Sequence, residues 1–200
     1  MGTRVIGISG GVAAGKSTVA RILAGLGAEV VDADAIGHEA LKREDVKRRV
    51  VSKLGGEILD DRGEIDRRKL GAIVFSSPDR LNDLEAIVHP IILERIREQI
   101  RSASERAAKV VALDAALLYE SGLDEICDGV VFVDADEKKR AARASGRGWT
   151  AEDCAGRERR QIKTADKRRR ANWIVDNSGS LKELENQIRK IWQQILDRNT

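Results

Sequence analysis

Short runs rich in β-branched residues alternate with longer segments whose apolar positions recur at helical spacing, the pattern of a parallel sheet covered by helices. Five strands are predicted, at 4–9, 29–32, 109–114, 129–134 and 173–176. The first runs through a glycine-rich turn into a helical pattern over 16–26. Between the second and third strands the chain devotes roughly seventy residues to helical, charge-rich sequence, far more than one crossover helix requires, which predicts an inserted helical region. Within it 79–104 is one long amphipathic helix with a stripe of Leu81, Leu84, Ile87, Val88, Ile91, Ile92, Arg95, Ile96 and Ile100. Pro90 falls inside that helix and predicts a kink or a break. After the fourth strand come two arginine-rich helices, 136–145 and 150–163, joined by a turn at 146–148, a candidate lid. Ser180 and Glu183 in SLKE make a capping box, and Leu181, Leu184, Ile188, Ile191, Trp192 and Ile195 mark a last helix packed on the sheet, Trp192 as core. The expected organisation is a single α/β domain with core segments 1–35, 106–139 and 171–200, a helical insertion at 36–105 and a lid at 140–170.

The turn after the first strand carries the most specific chemistry. Residues 10–18 read GGVAAGKST and satisfy G-x-x-x-x-G-K-[ST] in the strand, loop and helix setting of a phosphate-cradling P-loop. Gly10, Gly11 and Gly15, with Val12, Ala13 and Ala14 between them, let successive backbone N–H groups converge on a polyphosphate, and the helix N-terminus adds partial positive charge. Lys16 is then placed to reach the β- and γ-phosphates and Ser17 to hold Mg²⁺, with Thr18 closing the motif. The alternative is a glycine-rich turn without a ligand.

Composition narrows the classes. With 200 residues and 42% apolar content the chain suits one domain, or one core with insertions. Lys and Arg number 36 against 33 Asp and Glu, a net charge of +3, too small an excess for a dedicated nucleic-acid binder. No apolar run reaches membrane-spanning length, and the N-terminus lacks the features of a signal peptide, so a cytoplasmic protein without a membrane partner, monomeric or weakly self-associating, is expected. Cys127 and Cys154 match no metal spacing and are expected as free thiols, Cys127 buried.

In open α/β sheets ligands bind beyond the carboxyl ends of the strands, so acidic residues there matter. The second strand ends in Asp32, Ala33 and Asp34, and an extended conformation through them would point both carboxylates to one side. Phosphoryl transfer to a hydroxyl needs a carboxylate that orients the acceptor and takes its proton. Asp34 is the choice for that base, with N-capping of a helix over 35–41 as its other reading; Asp32 is the second candidate, with capping or pairing to a P-loop or lid cation equally open. Asp114 closes a VVALD strand of the kind that supports Mg²⁺ in P-loop proteins, with structural capping as the alternative. Arg140, Arg143 and Arg147 follow the fourth strand, and guanidinium donors there would stabilise a transferring phosphoryl group, Arg143 and Arg147 lying one helical turn apart. The basic run 167–170 reads as a solvated helix end or lid hinge.

Taken in order, these segments resemble the dephospho-coenzyme A kinase family. The resemblance runs through GISGGVAAGKSTVARILAGLGAEVVDADAI, GEIDRRKLGAIVF, LEAIVHPII, LLYESGLDEICDGVVFVD, the Arg-x-x-x-Arg before WTAED, RERRQ at 157–161, and ANWIVDNSGS. It implies a P-loop kinase fold with strand order 2-3-1-4-5, ATP and Mg²⁺ as phosphoryl donor, and transfer to the 3′-hydroxyl of the dephospho-coenzyme A ribose. By position, Asp34 resembles the family's base, Arg140, Arg143 and Arg147 its lid arginines, Asn177 the residue near the adenine, and His89 with Pro90 its acceptor-domain His-Pro. Two departures stand out: Ala115-Ala116-Leu117-Leu118 where Pro-Leu-Leu is usual, and Asn172 where Ala-Asp is usual. Other readings are a kinase of a nucleotide, shikimate or gluconate, a regulatory NTPase, or a binding module. Against the regulatory class, the D-x-x-G at 34–37 comes too soon after the P-loop and N-K-x-D is lacking; against nucleic acid stand the small charge and 3% aromatic content.

Overall fold

The computed structural model of the protein describes residues 2–197, with residues 75 and 76 described by their backbone alone. The outermost positions of the expected core segments, 1 and 198–200, lie outside these residues. Along the chain run β1 (Arg4–Gly10), α1 (Lys16–Gly25), β2 (Glu29–Asp32), α2 (Ala33–Lys42), α3 (Glu44–Leu54), α4 (Arg67–Ser76), α5 (Pro78–Glu105), β3 (Val110–Asp114), β4 (Gly129–Asp134), α6 (Glu137–Ser145), α7 (Ala151–Glu158), α8 (Thr164–Arg170), β5 (Trp173–Asp176) and α9 (Leu181–Asp197). The strands pair in parallel in the order β2-β3-β1-β4-β5, as the resemblance implies. By internal contacts the chain divides into two units, Met1–Asp32 with Gln99–Thr200, and Ala33–Glu98.

In the first unit, residues alternate across the sheet. Ile6 and Ile8 of β1 join Val110, Ala112, Val131 and Val133 of the neighbouring strands and Val19, Leu23, Leu184, Ile188 and Trp192 of α1 and α9 in one core. Full burial of each large aliphatic side chain there contributes about 1.5–3 kcal/mol. Trp192 is core as expected, while Leu181, at the first position of α9, is 57% exposed. Gly7, between Ile6 and Ile8, is closely packed: a Cβ there would stand 2.8 Å from Leu118 Cδ2 and 3.1 Å from Cys127 Sγ, so those side chains would have to shift. That packing desolvates the Cys127 thiol and pushes its pKa up to about 12. Both cysteines are free thiols.

The second unit is helical. Val46, Val50, Leu54, Ile58, Leu70, Val74 and Ile87 form its core, and Asp66 caps α4 by accepting from the backbone N–H groups of Arg68 and Lys69 at 2.8 and 3.2 Å. Helix α5 continues through Pro90 without a break. Pro90 and Ala86 are both exposed, so the carbonyl that proline leaves without a helical partner lies on the solvent side.

Three local expectations change. The extended conformation stops at Asp32, because Ala33, Ile36 and Ala40 bury one helical stripe and draw Asp34 into the first turn of α2, where a carboxylate favours the helix dipole. Asp32 and Asp34 therefore do not share one strand face. The helix expected over 150–163 ends at Glu158 and a separate α8 starts at Thr164. The chain leaves the helix there because the Ile162 N–H donates to the Glu120 carboxylate at 2.8 Å. Finally, α6 stops at Ser145, so Arg147 is not on the helix that carries Arg143.

Candidate active site

Strand β1 ends at Gly10 and the loop through Gly15 is buried throughout, although it carries no large side chain except Val12. Val12 and Ala13 anchor it by packing on Ala144, Trp149 and Cys154 of the α6–α7 region. The backbone turns through the left-handed region twice, at Ala13 (φ 57°) and at Gly15 (φ 102°), and α1 then starts at Lys16 with neither a side-chain cap nor an acidic residue in its first turn. Its N-terminal N–H groups are thus presented without a competing carboxylate, the arrangement that receives an anion. Ser17 is exposed in that first turn and Lys16 is half-buried.

Two of the arginines after β4, Arg140 and Arg143, touch this loop from outside. Arg140 ion-pairs with Glu158 (Nη1 to Oε1, 2.9 Å) and donates to the Val12 carbonyl at 3.5 Å. Arg143 donates from Nη1 to the Ala14 carbonyl at 3.0 Å and from Nη2 to the Asn177 carbonyl at 2.6 Å. Arg147 lies beyond the helix with its guanidinium 5.2 Å from the Trp149 ring centroid, the same ring that Arg157 covers at 4.0 Å. A cavity of about 490 Å³ opens between Val12, Ala13, Arg140, Trp149, Cys154 and Glu158.

At the neighbouring strand ends, Asp32 and Asp114 face one another in register across β2 and β3, and Asp114 is also level with Ile8 of β1. Their hard carboxylate oxygens, with the Ser17 hydroxyl, are the donor types Mg²⁺ takes alongside phosphate oxygens. In the second unit, Asp34 is exposed in the first turn of α2 and His89 is half-buried in α5. The face of α2 carrying Ala35, His38 and Lys42 lines a cavity of about 440 Å³ closed by Glu64, Ile65 and Arg67.

A model of the dephospho-CoA kinase family matches residues 4–183. The chain belongs to the dephospho-CoA kinase family. It is 40% identical over 193 residues to the dephospho-CoA kinase of Corynebacterium diphtheriae, with 96% of each chain covered. It is similar to a solved structure from Thermus thermophilus at 34% identity and a TM-score of 0.85, covering 97% of this chain and 98% of that one. The dephospho-CoA kinase structure from Campylobacter jejuni gives 26% identity and a TM-score of 0.70, with 96% of both chains covered.

For a member of the dephospho-CoA kinase family, the two departures noted in the sequence are accommodated without disorder of the sheet. Asn172 accepts from the Val130 N–H through Oδ1 at 2.8 Å and returns its own N–H to the Val130 carbonyl at 2.9 Å, so an amide oxygen serves where a carboxylate is usual. Ala115 and Leu118 are both buried after β3.

Sequence reasoning missed one buried ionic group altogether. Lys167, within the run read as solvated, is 1% exposed, and its Nζ lies 2.8 Å from Glu120 Oε1 and 3.0 Å from Gln161 Oε1. Its neighbour Arg170 instead caps the Tyr119 ring at 4.2 Å and pairs with Asp124, while burial pushes the Tyr119 phenol up. No periodic signal marks Lys167, because the seven-residue α8 is too short to display a stripe. The capping box of Thr150 and Asp153 at the head of α7 was legible in TAED but went unread.

Proposed function

We infer that this member of the dephospho-CoA kinase family transfers the γ-phosphoryl group of ATP to the 3′-hydroxyl of the dephospho-coenzyme A ribose, releasing ADP and coenzyme A, the last step of coenzyme A synthesis. The observation that carries the reading is the buried P-loop opening onto an uncapped, acid-free start of α1 in a chain of this family. The loop N–H groups from Gly10 to Thr18 hold the β- and γ-phosphates, and Lys16 neutralises charge as it builds on them. Ser17 and Asp114 are the residues that would hold Mg²⁺, which when bound screens the phosphate oxygens and aligns them. Asp34 takes the proton of the ribose 3′-hydroxyl as its oxygen bonds to the γ-phosphorus and the bond to the β-phosphate oxygen breaks. Asp32 is the second candidate for that base, and His89 belongs to acceptor recognition in the second unit. Arg140, next to the loop at Val12, turns to the phosphates when Glu158 releases it. Among the described residues no helix is long and apolar enough to cross a membrane.

Incubation of the purified protein with Mg-ATP and, separately, dephospho-coenzyme A, AMP, shikimate and gluconate tests this. A phosphate gained by dephospho-coenzyme A alone, read by product mass and lost in Lys16→Ala, is the expected result. ADP release with another acceptor would leave a P-loop kinase with a different substrate, and silence with all four would favour a regulatory or binding role.

A further inference from the structure

The Ala14 carbonyl is held by two side chains distant in sequence. It accepts from Asn177 Nδ2 at 2.8 Å and from Arg143 Nη1 at 3.0 Å, which occupies both of its lone pairs. The two donors are themselves locked together, because Arg143 Nη2 donates to the Asn177 carbonyl at 2.6 Å. Asn177 is 6% exposed, and its own N–H donates to the Asp134 carbonyl at 2.8 Å. A single guanidinium and a single amide thus join the phosphate loop to α6 and to the ends of β4 and β5.

The direction of that carbonyl has a consequence on the other side of the peptide plane. No cis peptide bond occurs among the described residues, and in a planar trans peptide the C=O of Ala14 and the N–H of Gly15 point in opposite directions. Holding the carbonyl outward, toward Arg143 and Asn177, therefore holds the Gly15 N–H on the opposite side, where the loop receives phosphate. Glycine at 15 is part of the same device: the backbone is left-handed there (φ 102°), and a Cβ would collide with the Asn177 amide nitrogen.

We propose that Arg143 and Asn177 are positioning residues that set the Gly15 N–H for polyphosphate binding by holding the Ala14 carbonyl, Arg143 acting through the loop backbone rather than on the transferred group. The proposal rests on the loop's binding a nucleoside polyphosphate, as the proposed function requires. A residue that aims a loop N–H strengthens ATP and ADP binding alike, whereas one that meets the charge of the transferring phosphoryl acts on kcat. Both side chains share one acceptor, so their effects should overlap instead of adding. Arginine is specific here, because lysine cannot bridge two carbonyls in one plane.

The test is calorimetric titration of Mg-ADP into the wild-type chain and into Arg143→Lys, Asn177→Ala and the double variant, with steady-state kinetics and thermal melts alongside. The expected result is ADP affinity weakened about tenfold to a hundredfold in each single variant, the range for one hydrogen bond to a charged group. The double variant should lose little more, and kcat should stay within about threefold. A kcat loss beyond about a hundredfold with ADP affinity intact would overturn the proposal and return Arg143 to the reacting phosphate. Unchanged ADP affinity and kcat would also overturn it, as would additive losses. Should Asn177→Ala fail to fold, Arg143→Lys, which retains charge and packing length, decides alone. Wild-type protein that binds Mg-ADP yet phosphorylates no dephospho-coenzyme A would remove the proposed acceptor and leave this inference standing.

Discussion

After β1 the chain builds a buried loop and only then enters α1 at Lys16, whereas after β2 it enters α2 directly at Ala33 with the exposed Asp34 in the first turn. The two exits use opposite materials. At the first, the phosphate contacts we propose come mainly from backbone N–H groups, and side chains distant in sequence, Arg140, Arg143 and Asn177, bond the loop's carbonyls. At the second, one carboxylate on one helix carries the chemistry proposed for it. A backbone-borne site spreads its dependence over many residues, so most single changes weaken it by degrees; a side-chain-borne one concentrates it in a few atoms.

Substitutions at the two exits separate these behaviours most strongly. Lys16→Ala removes the one charged side chain the loop itself supplies, and turnover should fall below detection while the thermal midpoint stays near wild type, since Lys16 is not part of the hydrophobic core. A collapsed melt would show instead that Lys16 holds the loop together. Asp34→Asn keeps the shape of the side chain and removes its basicity. The expected loss is about 10²–10⁴ in kcat with the KM for ATP little changed, the span typical of a general base. Turnover within a few-fold of wild type would remove Asp34 as the base and with it the comparison between the exits.

One step behind the loop, the comparison turns from chemistry to support. Helix α8 packs on β1 and β4, and its Lys167 ammonium is buried against Glu120, whose own side chain is only 13% exposed. Lys167→Met leaves that largely buried carboxylate without its cation, and chemical denaturation should show a loss of about 3–5 kcal/mol. A double cycle with Glu120→Gln should recover a large part of it, and additive losses would mean that the pair is solvated.

The course of these two exits was unequally legible in the sequence. The P-loop could be read because its function needs glycines at fixed spacing beside a strand, and local backbone demands leave local marks. The α/β alternation and four of the five strands' C-terminal ends followed for the same reason, each apolar run ending in a polar residue. Asp34 was misplaced in conformation, since a run of three residues cannot say whether Ala33 continues a strand or starts a helix; the stripe of Ala33, Ile36 and Ala40 decides it. What remained hidden are contacts made at long range: Asn177 to Ala14 spans 163 positions and Arg143 to Ala14 spans 129. Lys167 shows the limit most plainly, because it stands in a run of four cations of which three are exposed.

A titration extends the contrast along β1 itself. Cys127 packs on the bare face of Gly7, and its thiol is held neutral by burial up to a pKa of about 12, against 9.0 for an ordinary cysteine. The folded state therefore keeps a proton that the unfolded chain releases, so this group's contribution is fully present below about pH 9 and is lost as pH rises toward 12. Denaturation midpoints measured from pH 8 to 11 should fall more steeply for wild type than for Cys127→Ala, the outcome being flat and equal slopes if the thiol is in fact wet.

The smallest effect is expected at the opposite kind of place, a box of exposed side chains at the head of α9. Ser180 Oγ accepts from the Glu183 N–H at 3.3 Å, while Glu183 Oε2 accepts from the Ser180 N–H at 2.7 Å and from its hydroxyl at 2.8 Å. Those bonds hold the Glu183 carboxyl below the ordinary 4.5, so its contribution is present above that pH and is lost as pH falls through the lowered value. Ser180→Ala removes the cap and should cost about 1 kcal/mol at neutral pH. The loss stays small because both partners regain water, in contrast to Lys167, whose partner is largely buried. If Ser180→Ala proved as damaging as Lys167→Met, the rule that separates buried from solvated support in this chain would fail, and the α9 cap would have to be carrying the Trp192 and Ile188 core beneath it.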